Sequence, residues 1–228
     1  MKRNRLLLAA AAIAAAAVIV VVLLITVGGG KKSDPKSSPP TATRSVFAGV
    51  AQHGDTLGLA SAPTTMIVFE DPQCPFCRTW SLDTLPTVVE RYVRTGRVKL
   101  VYRGILVVGP NSTQGLAAIY AAGAQNKLWN LADELYRRQG TENSGWITDA
   151  VIREAATAVG ADPAALVTAA KAGAVGVAIT GAAKAAIAGA VRGTPTFIIA
   201  RPASPLQQLS VSGLDPASFT AALDAALR

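Results

Sequence analysis

Thr64-Thr65-Met66-Ile67-Val68-Phe69 runs directly into Glu70-Asp71-Pro72-Gln73-Cys74-Pro75-Phe76-Cys77, and this junction decides the fold. The first six residues are rich in the β-branched and aromatic types that suit a buried strand. Beyond the cysteines, Trp80, Leu82, Leu85, Val88, Val89, Tyr92 and Val93 recur at near-helical spacing. The only two cysteines of the chain therefore lie where a buried strand turns into a helix. The first turn of a helix carries unpaired N–H groups and partial positive charge, which stabilise a thiolate. Cys74 is thus expected to have a lowered pKa and to be the attacking sulfur. Cys77 follows one turn later on the same face, within reach for a short disulfide. Pro75 is tolerated in a first turn, where its missing N–H has no partner to lose. The arrangement suits a reversible dithiol/disulfide couple.

Working outward, Arg97-Val98-Lys99-Leu100-Val101-Tyr102-Arg103 alternates polar and apolar residues, which predicts a strand with one solvated face. Strand, helix and strand in this order make a βαβ unit with parallel strands. The intervening helix is expected from about Pro75 to Thr95, kinked or broken at Pro86 and ended by Gly96. Upstream, Val46–Ala51 is a weak strand candidate, and His53-Gly54-Asp55-Thr56-Leu57-Gly58 reads as a loop. His53 is the only imidazole; a proton shuttle and an ordinary loop histidine both fit it, the second better. Downstream, residues 112–190 are Ala-rich and helical, in segments 112–125, 127–138, 148–159, 163–171 and 175–190. Gly193-Thr194-Pro195 then leads into a buried strand, Thr196–Ala200. Residues 201–208 make a hairpin connection to a strand at Leu209–Ser212. Asp215-Pro216 starts a final helix with Phe219, Leu223 and Leu227 on one face.

The N-terminal part is a separate matter. Lys2, Arg3 and Arg5 precede an uncharged apolar run from Leu6 to Val27, long enough to span a bilayer. Positive charge ahead of the run places the N-terminus in the cytoplasm. The run exceeds the about 7–15 apolar residues of a cleavable signal, so an uncleaved anchor is the expectation, although Gly28–Gly30 would also suit a cleavage region. Residues 1–27 are thus expected to be the cytoplasmic N-terminus and anchor, and residues 28–45 a Gly/Ser/Pro/Lys-rich flexible tether. Residues 46–228 would form one domain outside the cytoplasm, where disulfides persist.

Composition excludes other classes. Two cysteines make no disulfide framework, and with one histidine they fall short of the about four ligands of a structural zinc site. The net charge of +8 comes with no basic run interleaved with aromatics, so nucleic acid is not an expected partner. A basic surface facing anionic lipid is the simpler reading.

Taken together, three features resemble the DsbA-like thiol–disulfide oxidoreductases of the thioredoxin superfamily. They are Leu57-Gly58 with Ala62-Pro63-Thr64 ahead of the first core strand, Phe69 to Cys77, and Gly193-Thr194-Pro195-Thr196-Phe197. The resemblance covers about residues 55–228. It implies an α/β thioredoxin fold with an inserted α-helical subdomain at about 111–190 that caps the active site. It implies that Cys74 is the nucleophile, Cys77 the resolving cysteine and Pro195 a cis-proline, with Pro75, Phe76 and Thr194 shaping the site. On residues alone, Pro195 reads better as a trans proline opening a strand, and it is the resemblance that implies cis. Relatives often carry a buried acid six positions before the first cysteine; here that position is Val68. Glu70 and Asp71 are the nearby candidates for proton transfer, and alternation leaves open where each points.

The function this implies is an oxidase passing the Cys74–Cys77 disulfide to cysteine-containing secreted proteins. No metal or cofactor is expected, and reoxidation falls to a quinone-linked membrane partner. A reductase or isomerase would use the same pair, and Thr194 slightly favours it. A non-catalytic module with a structural bridge is the remaining class, but closing so small a loop constrains the unfolded chain little.

Overall fold

The structure, a computed structural model, describes residues 45–228. The expected span and residues 28–44 of the tether lie outside them. Among the described residues no single helix is long and apolar enough to cross a membrane.

The elements in chain order are β1 (Gln52–His53), β2 (Thr56–Leu57), β3 (Thr64–Glu70), α1 (Pro75–Thr79), α2 (Leu85–Val88), β4 (Val98–Gly104), α3 (Ser112–Ala122), α4 (Leu128–Arg137), α5 (Asp149–Ala158), α6 (Pro163–Ala170), α7 (Gly173–Ala188), β5 (Thr196–Ala200), β6 (Gln207–Gln208) and α8 (Pro216–Ala226). The sheet order is β1-β2-β4-β3-β5-β6. β3 and β4 are parallel, as a βαβ unit requires, and β5 lies antiparallel on the other side of β3. Both neighbours of β3 thus come from distant parts of the chain, and β3 delivers the cysteine turn from the middle of the sheet.

α1 does not continue as one regular helix. A π-helical turn covers Trp80–Thr84, α2 follows, and a second π-turn covers Val89–Val93. The Leu85 N–H reaches back five residues to the Trp80 carbonyl. Pro86 sits at the start of α2, where a missing N–H costs little, so the break expected at Pro86 falls just before it. Trp80 is fully buried, packed edge-on against Phe197 of β5 and tilted against Phe219 of α8, with ring centroids 4.7 and 4.5 Å away. These aromatic contacts tie the active-site helix to the C-terminal half of the fold.

α3 to α7 form the helical insertion, at the places the Ala-rich segments predict. Thr148, Asp162 and Asp215 cap α5, α6 and α8 with side-chain hydrogen bonds. The second face of the sheet is closed by Ala182 and Ala186 of α7 on Phe69, Ile105 and Ile198.

Three expectations need correction. Residues 46–49 form a turn, not a strand, closed by the Ala48 N–H on the Ser45 carbonyl at 2.9 Å. The segment read as a loop at 53–58 is instead a hairpin, with His53 opposite Thr56 and Gly54-Asp55 as its two-residue turn. Gly54 has φ +57, which such a turn needs. The last strand is Gln207–Gln208, not Leu209–Ser212. The Leu209 N–H makes the final bond to Phe197 at 2.8 Å, and the chain then leaves the sheet. The hairpin strands and Gln207–Gln208 are each only two residues long and mostly polar, so long-range pairing, not local pattern, decides them.

Gly58 follows the hairpin at φ +106, and a Cβ there would lie 2.9 Å from Val93 Cγ1 and 3.4 Å from the Lys99 Cα. Gly58→Ala is therefore expected to cost about 1–3 kcal/mol through backbone strain and overpacking. A thermal melt showing an unchanged midpoint would contradict this.

Candidate active site

The redox turn is built from the end of β3. Asp71 accepts four hydrogen bonds: from the Gln73 N–H at 2.9 Å, the Val107 and Val108 N–H groups at 2.8 and 2.9 Å, and the Ser112 hydroxyl at 2.6 Å. It is fully buried and binds the turn to the loop after β4. Gln73 is also buried; its amide donates to Ser112 Oγ at 2.9 Å and accepts from the Asn143 N–H at 2.8 Å. Gln139 donates to the Pro72 and Cys74 carbonyls at 3.0 and 3.1 Å. The turn preceding Cys74 is thus held by side chains and backbone from the loop after β4 and the insertion.

Cys74 is the N-cap of α1, with extended backbone, and Pro75 opens the helix. Both cysteines are free thiols. The Thr194–Pro195 bond is cis, as the resemblance implies, and the Thr194 carbonyl lies 3.2 Å from Cys74 Sγ. Phe76 projects from the turn and is 65% exposed, so an apolar ring stands at the surface two residues past Cys74, which is itself buried.

The two thiols have opposite electrostatic surroundings. The Cys74 pKa is lowered to about 6, chiefly by the hydrogen bond from the Cys77 thiol. Thr194 and the backbone N–H groups of Cys77 and Phe76 add to this against the opposing effect of burial. Cys77 is fully buried, and burial first, then its hydrogen bond to Cys74 and the charge of Glu70, push its thiol well above the ordinary range. One sulfur is a thiolate at neutral pH and its neighbour holds its proton.

Glu70 is 2% exposed on the face of β3 that the active-site helix covers. Burial, and then the charge of Cys74, raise its carboxyl pKa well above the usual range. Strand periodicity puts Glu70 on the same face as Val68, one pleat closer to the cysteines. Glu70 is thus a buried acid on the Val68 face of the strand. Asp71 points the other way, into the loop contacts above. His53 is exposed on the edge strand β1, with β2 and β4 between it and β3.

Sequence reading did not single out Trp80, Tyr102 and Tyr136, which surround Glu70. Tyr102 and Tyr136 are fully buried, and their hydroxyl pKa values are raised by burial and by the nearby Glu70 charge. The Tyr136 hydroxyl donates to the Asp71 carbonyl at 3.2 Å. A usable signal existed for Trp80, which follows Cys77 by one turn. The tyrosines are brought in by β4 and α4, and nothing local marks them.

Comparison with known proteins agrees with this architecture. The family model described as Thioredoxin matches residues 51–204. The chain is 35% identical over 99 residues to the "Probable disulfide bond formation protein D" of Bacillus cereus, covering 42% of this chain and 46% of the relative. It is 24% identical over 102 residues to "Disulfide bond formation protein D" of Bacillus subtilis, covering 44% and 46%. The matches thus span less than half the length of these curated relatives. Among solved structures, oxidised BdbD from Bacillus subtilis superposes with a TM-score of 0.65 at 17% identity, covering 78% of this chain and 97% of that one. The DsbA of Chlamydia trachomatis gives 0.61 at 18% identity, covering 77% and 90%. With a parallel β3–β4 pair, a Cys-Pro-Phe-Cys helix start, a cis-proline beside it and a helical insertion, the chain belongs to the thioredoxin family and has a DsbA-like fold.

Proposed function

We propose that this chain is an extracytoplasmic thiol–disulfide oxidoreductase that acts chiefly as an oxidase on exported proteins. The observation that carries this is the asymmetry of the pair: Cys74 held as a thiolate at about pH 6 and above, Cys77 buried with its proton. Stabilising the Cys74 thiolate stabilises the reduced protein, which makes the disulfide the better electron acceptor. A substrate thiolate attacks Cys74 Sγ, the Cys74–Cys77 bond breaks, and Cys77 leaves and takes up a proton. Glu70 is the nearest buried acid that can supply it. A second substrate thiolate then attacks the substrate sulfur of the mixed disulfide. The substrate gains its disulfide and Cys74 departs as the stabilised thiolate.

The names of the Bacillus relatives support the same chemistry. The Leu6–Val27 run with Lys2, Arg3 and Arg5 ahead of it supports a membrane-anchored protein with its catalytic domain outside the cytoplasm. Reoxidation then falls to a membrane partner, in this reading a quinone-linked one. The deciding measurement is the resting state of Cys74 and Cys77 in intact cells, quenched in acid and tagged with a mass label. A mostly oxidised pair is expected. A mostly reduced pair would overturn the oxidase direction in favour of a reductase or isomerase.

A further inference from the structure

Between Asp162 and Asp215 the chain carries Lys171, Lys184, Arg192 and Arg201 and not one acidic residue. Lys171, Lys184 and Arg192 are exposed and Arg201 is half-buried. None of the four makes an ion pair among the described residues, whereas Arg91, Arg94, Arg97, Arg103, Arg137 and Arg138 each face a carboxylate. Lys184 stands on the outward side of α7. This helix turns Val175, Ala182 and Ala186 inward, all buried. At helical spacing its opposite side carries Gly173, Val177, Thr180, Gly181, Lys184 and Ile187, all exposed. Val177 is 73% and Ile187 81% exposed, the two most exposed large apolar side chains among the described residues. By length and composition α6 and α7 together would pass for a membrane-crossing segment, but they are bent by 64°. Leu166, Val175, Ala182 and Ala186 also tie them to the domain. The pair therefore offers a bilayer an apolar, basic outer surface and no span.

We propose that the outer face of α7 docks on a bilayer surface bearing anionic headgroups. Val177 and Ile187 enter the headgroup region, and Lys184, flanked by Lys171 and Arg192, meets the lipid phosphates. Burial of apolar side chains and attraction of bases to anionic lipid are the two terms that hold a helix at an interface. The inference rests on the membrane-anchored reading, in which Leu6–Val27 fixes every copy to a bilayer. Residues 28–44 reach at most about 60 Å when fully extended, so a lipid surface is always close. The described chain begins at Ser45, whose hydroxyl accepts from the Asn130 amide of α4 at 3.2 Å. Leu128 of α4 and Val175 of α7 line one cleft, so the chain enters the domain near the first turns of α7. Charge selects the occupant. Two copies paired through α7 would bring unpaired bases together with no acid to meet them, whereas anionic headgroups complement them. Docking also has a use. Residues 189–194 join α7 to Pro195, at most about 20 Å of chain, and the Thr194 carbonyl is 3.2 Å from Cys74 Sγ. A docked α7 keeps the reactive sulfur close to the bilayer, where exported substrates and a membrane-bound reoxidising partner would meet it.

The test uses the full chain reconstituted in vesicles of phosphatidylglycerol or of phosphatidylcholine. An uncharged acetylating reagent is added, and the rate of Lys184 modification is read by mass spectrometry. Lys184 is expected to react more slowly in phosphatidylglycerol by about fivefold or more, the factor that one base near an anionic surface supplies. The double variant Val177→Ser, Ile187→Ser keeps the anchor, the charges and the lipid, and should lose most of that difference. Both side chains are exposed, so its thermal midpoint should match the wild type. Equal Lys184 rates in the two lipids overturn the proposal. So does a double variant as protected as the wild type, since the charge of the surface alone would then explain the slowing. Protection that appears in phosphatidylcholine too, and grows with the protein-to-lipid ratio, would give the face to a second copy and also overturn it. In each of these outcomes the chain stays with the vesicles through a carbonate wash. Release from both vesicles in carbonate would instead sink the anchored reading, and the proposal with it.

Discussion

Cys77→Ser protein, isolated from cells after acid quenching, is expected to carry covalently bound partners that dithiothreitol releases. In the wild type the mixed disulfide on Cys74 can be cleared from inside by Cys77, which the structure places against Cys74 as its hydrogen-bond donor. With serine there, the complex decays only by a second thiol from the substrate or solution, and it accumulates. Cys74→Ser should form no such complexes and lose essentially all exchange activity, because Cys77 is fully buried and protonated. Non-reducing gels of the two variants side by side make the comparison. Equal trapping by both, or by neither, would contradict the assigned roles.

The second large effect is in the titration of Cys74. Alkylation of the reduced protein should show a half-point at about pH 6, not near the 9.0 of an ordinary thiol. The rate at pH 7 is a poor reading, because the gain in thiolate is offset by lower intrinsic nucleophilicity. The inflection is the quantity to measure. The sign of the linked stability follows from the lowered pKa. The unfolded chain binds the proton up to about pH 9 and the folded protein releases it from about pH 6. The contribution to the reduced fold is therefore complete above pH 9 and lost as pH falls through 6. From these two pKa values it amounts to about 1.4 kcal/mol at pH 7, which raises the two-electron potential by about 30 mV. Reduced protein should thus gain stability relative to oxidised protein between pH 6 and 9. A difference that stays flat over that range would place the stabilisation elsewhere than on Cys74.

How much of this was legible in the sequence differs by element. β3, the Cys-Pro-Phe-Cys helix start and the parallel β4 were readable because each carries its own pattern: a β-branched run, a first-turn proline, a mostly alternating polar and apolar run. The helices of the insertion and the C-terminal helix were readable from punctuation, with Asp162-Pro163 and Asp215-Pro216 marking starts that the structure reproduces as caps. The hairpin at 52–57 and the strand at Gln207–Gln208 carry no apolar alternation and exist only because β4 and β5 offer edges to pair with. Glu70 lies between these cases. Alternation from Val68 puts Glu70 on the same face, but the approaching turn left the direction of Glu70 and Asp71 open in the sequence. Only the structure shows Glu70 buried on the Val68 face and Asp71 turned into the loop after β4. Tyr102 needed the β3–β4 register and Tyr136 the packing of α4, and neither is written locally.

The bonds from Asp71, Gln73 and Gln139 make the loop after β4 and the insertion share the support of the redox turn. Gln73 and Ser112 bond each other and both touch the turn, one from within it and one from the first residue of α3. The insertion is therefore not a lid laid over a finished thioredoxin domain. Cut out and replaced by a short link, it would take with it the anchors of the turn that presents Cys74.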